Sequence, residues 1–205
     1  MQLPIFKARA SAAGSLMVSP RSKTATLSKT TQTYLQDWAK EHIYGIRKQI
    51  KSKYIDKGLT NEDYAIDQAI KMLDLPFVLK NVESFEDDYF TGTPDIVTDT
   101  EVLDIKCSWD AFTFPLFADE IPTDDYFYQL QVYMHLTGRK SARLVYVLTD
   151  TPPELQWGEI VSYQHVSEKF KIKTYTVEYQ PEIIEQLQQR VLAAREYIEK
   201  ITKTL

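Results

Sequence analysis

The segment from Gly92 to Cys107 constrains the fold more than any other stretch of the chain. It opens with Gly92-Thr93-Pro94-Asp95 and continues as two β-prone runs, Ile96-Val97 and Val102-Leu103-Asp104-Ile105-Lys106-Cys107, divided by Asp99-Thr100. Extended backbone sends successive side chains to opposite faces, so Asp104 and Lys106 share one face while Leu103, Ile105 and Cys107 share the other. With the turn centred on Asp99-Thr100, the cross-strand pairs are Val97 with Val102, Ile96 with Leu103, and Asp95 with Asp104. The two aspartates then face each other at roughly 5 Å. At that separation two carboxylates repel by about 3 kcal/mol even at an effective dielectric near 20, so the pair calls for a compensating cation. A divalent metal ion beside Lys106 would supply it. If the turn lay elsewhere, Asp104 and Lys106 would be only the solvent side of an edge strand, and an Asp-x-Lys tripeptide alone is a weak signal.

The flanking sequence supplies helices. Leu35, Trp38, His42, Ile46 and Ile50 recur at spacings of three and four, which predicts a helix from Ser28 onward. A second helix is predicted from near Thr60, with Thr60 and Asp63 as a capping box, to about Leu73. Pro76 ends helical structure, and Phe77 to Ser108 reads as strands and turns. A third helix runs from about Thr123 to Thr137 with Gly138 as its stop. Ala142 to Leu148, Ile160 to Gln164 and Lys171 to Tyr179 read as strands, and Pro181 to about Thr202 as an amphipathic helix. The first twenty-seven residues read as loop or short helix. This order specifies a mixed α/β layer architecture.

Two of these helices carry polar residues on faces meant for burial. Glu62 shares a stripe with Ile66, Ala69 and Leu73, and a buried carboxylate needs a partner such as a metal. The ordinary alternative is a first-turn glutamate favoured by the helix dipole. In the third helix Gln129 and Tyr133 lie four apart beside Leu130 and Met134. Gln129 could orient an active-site lysine, hold a water or phosphate oxygen, or be a satisfied core amide.

Bulk properties limit the remaining choices. A chain of 205 residues with 43% hydrophobic content can bury one sizeable core, so a single domain is expected. No apolar run is long enough to span a bilayer and the N-terminus lacks secretory-signal order, which predicts a soluble intracellular protein. The single cysteine, Cys107, and three scattered histidines offer no metal-ligand spacing, so any metal must be held by oxygens, which suits Mg²⁺ or Mn²⁺. The net charge of −5 conceals an asymmetry: residues 1–57 hold eleven Lys/Arg against three Asp/Glu, leaving the rest strongly acidic. That basic third is an ordinary solvated face unless a phosphate-cutting site accompanies it. In that case Arg9, Arg21, Lys23, Lys48, Lys51, Lys53 and Lys57 would hold a DNA backbone without reading its sequence.

Taken in order, Glu62, Gly92-Thr93-Pro94-Asp95, Asp104-Ile105-Lys106 and Gln129-Leu130-Gln131-Val132-Tyr133 resemble the PD-(D/E)XK nucleases of the RecB-like branch. Arg9-Ala10-Ser11, Ser19-Pro20-Arg21-Ser22 and Gly58 to Ala65 narrow the resemblance to the lambda-exonuclease-like, YqaJ-like viral recombinase family, over about residues 6 to 140. The resemblance implies a restriction-endonuclease-like core, a central mixed sheet flanked by helices. The single nuclease domain would comprise a basic DNA-contacting part over 1–57, a catalytic core over 58–140, and strands with a terminal helix over 141–205. It further implies one or two Mg²⁺ ions held by Glu62, Asp95, Asp104 and the Ile105 backbone carbonyl. Lys106 would position or activate the attacking water, and Gln129 or Gln131 would be the motif glutamine. Ser11, with Lys7 or Arg9, would contact a terminal phosphate. The implied activity is 5′-to-3′ digestion of duplex DNA in phage recombination, in the host cytoplasm. A single-strand annealing protein would be its partner, and a ring-shaped trimer is known in the family. Two departures stand out: the second acid is Asp104 where glutamate is usual in lambda exonuclease, and the family's phosphate-binding arginine has no clean counterpart. An endonuclease of the same fold, a catalytically silent DNA end-binding protein, and a glycoside hydrolase using the two aspartates are the competing readings.

Overall fold

The computed structural model describes residues 3–22, 24–49, 52–155 and 161–203. A short N-terminal strand, β1 (Ala8–Arg9), leads through a 3₁₀ turn at Ala10–Ala12 into α1 (Ala13–Met17). Two longer helices follow, α2 (Lys29–Tyr44) and α3 (Lys53–Met72). Next come the short strands β2 (Phe85–Glu86), β3 (Phe90–Gly92) and β4 (Ile96–Val97), then the long β5 (Glu101–Ser108). The chain continues as α4 (Asp124–Thr137), β6 (Ser141–Leu148), β7 (Ile172–Glu178) and α5 (Pro181–Thr202).

Four strands form a mixed sheet in the order β4-β5-β6-β7, with β5 and β6 parallel and the outer pairs antiparallel. The α4 crossover makes the parallel pairing possible. Because helices cover both faces, the central strands β5 and β6 bury side chains both ways, whereas the edge strand β7 buries only one face. Val102, Ala142, Leu144, Tyr146, Leu148, Tyr175 and Val177 face the core shared with α1, α2, α4 and α5. Leu103, Ile105, Val145 and Val147 face Ala65, Ile66 and Ala69 of α3. The expected mixed sheet flanked by helices is therefore the observed fold.

The hairpin register is the one read from the sequence: Ile96 pairs with Leu103 and Val97 with Val102, and the Thr98 N–H donates to the Glu101 carbonyl across the turn. Helix α4 starts after a Thr123 cap and stops at left-handed Gly138, and α5 runs from Pro181 to Thr202. Other boundaries differ. Helix α2 stops at Gly45, whose φ of 65° admits a left-handed turn, so Ile46 leaves the stripe and is exposed, and Ile50 lies outside the described residues. Helix α3 begins seven residues before Thr60, capped by the Ser52 side chain, so Thr60 and Asp63 form no capping box. Glu62 is consequently mid-helix, and first-turn dipole stabilisation is not its role. The expected strand at 160–164 is absent over the described residues 161–164, where the Asp150 carboxylate accepts from the Ser162 hydroxyl and the Tyr163 N–H instead. The N-terminal β1, expected as loop or helix, is ordered because it pairs in parallel with Phe90 and Thr91 of β3.

Candidate active site

A cleft of about 630 Å³ opens between the N-terminal half of α3, the β4–β5 hairpin and α4, lined in part by Glu62, Asp95, Asp104, Lys106, Gln129 and Tyr133. Alternation along β5 turns Asp104 and Lys106 toward α4. Asp104 is only 2% exposed, so the polar pair sits on the floor of the cleft rather than on a solvent edge. Lys106 Nζ stands 2.6 Å from Asp104 Oδ2 and 4.8 Å from the centre of the Tyr126 ring. Burial works against the ammonium, but the Asp104 carboxylate outweighs it and holds the Lys106 pKa above its ordinary value.

Asp95 arrives from the other arm of the hairpin. Its Oδ2 accepts from the Ile105 N–H at 2.6 Å, which pins the carboxylate beside the middle of β5. Burial, and then the Asp104 charge, push its pKa up to about 7. This is the repulsion expected of two aspartates brought together by the register. Gly92, at the end of β3, lets that strand pack closely on α4, since a Cβ there would lie 2.7 Å from the Tyr133 ring.

Helix α4 completes the floor. Gln129 Nε2 donates to Asp104 Oδ1 at 3.1 Å and to the Tyr133 hydroxyl at 2.9 Å. Gln129 thus fixes the carboxylate, whereas orientation of the lysine had been one expectation for it. Gln131 is not in the site. It faces the opposite side of α4, where it donates to the Glu178 carbonyl and accepts from the Gln180 N–H, fastening the end of β7. Two residues along a helix is a 200° rotation, so both glutamines cannot serve one cleft.

Glu62 lines the cleft as expected, but at its rim: its side chain keeps 41% of its exposure, and Lys80 Nζ holds its Oε1 at 2.6 Å and Asp63 Oδ1 at 2.7 Å. The buried part of the stripe begins only at Ala65 and Ile66. Among the described residues, no three His, Cys, Asp or Glu side chains stand grouped as a ready cation site. The donors nevertheless suit an oxygen-ligated divalent cation. The Asp104 charge raises the cost of ionising Asp95, and among the described residues Asp104 Oδ2 has only the Lys106 ammonium as a partner, at 2.6 Å. Glu62 joins them only if it exchanges Lys80 for the ion.

The expected DNA-contacting residues divide. Lys7 and Arg9 line a separate cavity of about 410 Å³ with Trp38, His42 and Arg47, and Lys7 also pairs with Glu86 at 3.3 Å. Ser11 and Arg21 are exposed, as is Lys53, whose ammonium lies 4.8 Å from the Trp109 ring centre. Lys51 lies outside the described residues. Lys57 is not a surface cation: it is fully buried, its Nζ donating to the Trp109 and Thr149 carbonyls at 2.8 Å each. Composition counted it as basic surface, but its helix face turns inward.

Two contributors escaped the sequence reading. Tyr126 lies three residues before Gln129 on the same stripe, and extending that stripe back one turn would have found it. Lys80 sits in an aperiodic segment with no local signal.

No family model matches the sequence, and no curated protein matches it. Solved structures do match. A phage-related exonuclease from Haemophilus somnus 129PT superimposes with a TM-score of 0.85 at 26% identity, over 98% of this chain and 97% of that one. The alkaline exonuclease LHK-Exo from Laribacter hongkongensis gives 0.72 at 18% identity, over 97% and 90% of the two chains. Its complex with dAMP gives 0.68 at 20% identity over the same shares, 97% and 90%. In fold and in the order of its motifs the chain is similar to the PD-(D/E)XK nucleases. Within that class it is similar to the lambda-exonuclease-like branch, in keeping with its likeness to the phage-related exonuclease.

Proposed function

We propose that this protein is a divalent-metal-dependent exonuclease that digests linear duplex DNA from its 5′ ends during phage-type recombination. The observation that carries this reading is the β4–β5 hairpin, which brings Asp95 against the Ile105 amide and sets Asp104 and Lys106 side by side under α4. The near full-length likeness to a phage-related exonuclease supports exonuclease over endonuclease. A catalytically silent end-binding protein would have no use for a buried, mutually repelling aspartate pair. The chain acts as a single nuclease domain, and its partners in this reading are duplex DNA, a single-strand annealing protein and further copies of itself in a ring. Among the described residues no helix is long and apolar enough to cross a membrane.

Glu62, Asp95, Asp104 and the Ile105 carbonyl would hold one or two Mg²⁺ or Mn²⁺ ions. Such an ion, when bound, acidifies a water and offsets charge on the leaving 3′ oxygen. The chain's own residues supply positioning. Gln129 holds Asp104 Oδ1 while Oδ2 faces the Lys106 ammonium, which fixes the carboxylate's orientation. Lys106, kept protonated by Asp104, donates from Nζ to the attacking water or a non-bridging phosphate oxygen and aligns the two. Lys7, Arg9, Ser11, Arg21 and Lys53 would contact phosphates, with Ser11 and Arg9 or Lys7 at the terminal one.

The test is a gel comparing 5′-labelled linear duplex with closed circular duplex, in Mg²⁺ and in EDTA. Loss of the linear substrate alone, and only with metal, is the expected result. Cleavage of the circle would establish an endonuclease, and cleavage in EDTA would end the metal assignment.

A further inference from the structure

The first three turns of α3 are held to the body of the protein in an unusual way. Before Ala65 the helix has one buried residue, and that residue is Lys57. Tyr54, Ile55 and Leu59 on the same turns are exposed, and Tyr54 only touches the Trp109 ring edge-on at 5.8 Å between centres, so little apolar burial seats this part of the helix. A buried ammonium is costly to desolvate, and a methionine would fill similar space without that cost.

Lys57 meets a particular need. Ser108 and Leu148 are the last paired residues of the parallel β5–β6 ladder, so Trp109 and Thr149 are the first residues beyond it, side by side. Their carbonyls have left the ladder and point at Lys57 Nζ, which donates to both at 2.8 Å. One turn on, Asn61 Nδ2 donates to Thr149 Oγ1 at 3.0 Å and to the Asp150 carbonyl at 2.8 Å. Thr149 Oγ1 in turn lies 3.0 Å from Cys107 Sγ, next to Lys106 on β5. Glu62 follows Asn61 directly, turned about 100° toward the cleft and some 7.5 Å along the axis from Lys57.

We infer that Lys57 is a positioning residue, its buried ammonium and the Asn61 amide clamping α3 to the exits of β5 and β6 so that Glu62 is presented to Asp95 and Asp104. The inference rests on the metal-binding reading of the cleft given above. Apolar packing from Ala65 onward fixes the helix too far downstream to set Glu62 alone. The clamp ties Glu62 to the strand that carries Asp104.

The experiment is a double-mutant cycle read by Mn²⁺ titration calorimetry on the full chain: wild type, Lys57→Met, Glu62→Gln and the double variant. Lys57→Met should weaken Mn²⁺ binding about tenfold, as loss of an outer-shell partner does. The double variant should bind no more weakly than Glu62→Gln. Hydrogen exchange should rise over 53–62 in Lys57→Met while 65–72 keeps its protection. Wild-type Mn²⁺ affinity in Lys57→Met, or losses that add in the double variant, would overturn the clamp. If Lys57→Met does not fold, Asn61→Ala takes its place in the cycle and is judged by the same two outcomes. Unchanged Mn²⁺ binding in Glu62→Gln would instead remove Glu62 from the metal site, a failure of the underlying reading that is separable from failure of the clamp.

Discussion

In protein free of divalent cation, Asp95→Asn should stabilise the fold, and by an amount that depends on pH. Burial and the neighbouring Asp104 raise the Asp95 pKa to about 7. An unfolded aspartate titrates near 4, so between these values the folded state holds a proton that the unfolded state has lost. Unfolding stability therefore falls as pH rises from about 4 to about 7, and the full penalty is present above 7. Three pH units correspond to about 4 kcal/mol at most. Asparagine carries no charge, and its side-chain oxygen can still accept from the Ile105 N–H. Urea unfolding of wild type and Asp95→Asn in EDTA at pH 4.5 and pH 8 measures the difference. The advantage of the variant should be small at the lower pH and grow by about 2–4 kcal/mol at the higher one. Adding Mg²⁺ at pH 8 should restore the wild type by binding only its folded state. A stability gap that is equal at the two pH values, or a variant less stable at pH 8, would refute the claim that the two carboxylates are forced together.

Three further outcomes are expected. Asp104→Asn and Lys106→Ala should each lower cleavage by about a thousandfold or more while duplex affinity, measured by anisotropy, changes little, because affinity comes from phosphate contacts elsewhere; near wild-type cleavage by either would sink the assignment. Gln129→Leu should lower kcat about tenfold or more with little change in melting temperature, whereas Gln131→Leu, which removes a fully buried amide and its bonds to the half-buried Gln180 N–H and Glu178 carbonyl, should cost about 1–3 kcal/mol of stability and leave kcat intact. The combined Ser11→Ala and Arg9→Ala change should erase a preference for 5′-phosphorylated over 5′-hydroxyl duplex; equal loss on both substrates at two salt concentrations would mean general backbone contact rather than end recognition.

What the sequence determined by itself was local and periodic. The hairpin centred on Asp99-Thr100 and the placing of Asp104 with Lys106 follow from the two-residue repeat of extended chain. The limits of α4 and α5 follow from helical periodicity with Thr123, Gly138 and Pro181 as punctuation, so the floor of the site was legible from a few adjacent residues. Tertiary structure decided everything that depends on which face of an element meets another part of the chain. Lys57 and Lys53 are indistinguishable as basic residues, yet one is sealed against two strand-end carbonyls and the other stays in solvent. Gln129 and Gln131 stand in one motif, and only packing of α4 on the sheet sends the first to Asp104 and the second to the end of β7. The pairing of Glu62 with Lys80 joins residues eighteen apart through an aperiodic segment, and β1 exists only because β3 is beside it. Periodicity gives a side chain its direction relative to its own backbone, whereas its partner is set by how the elements pack, which no short window of sequence contains.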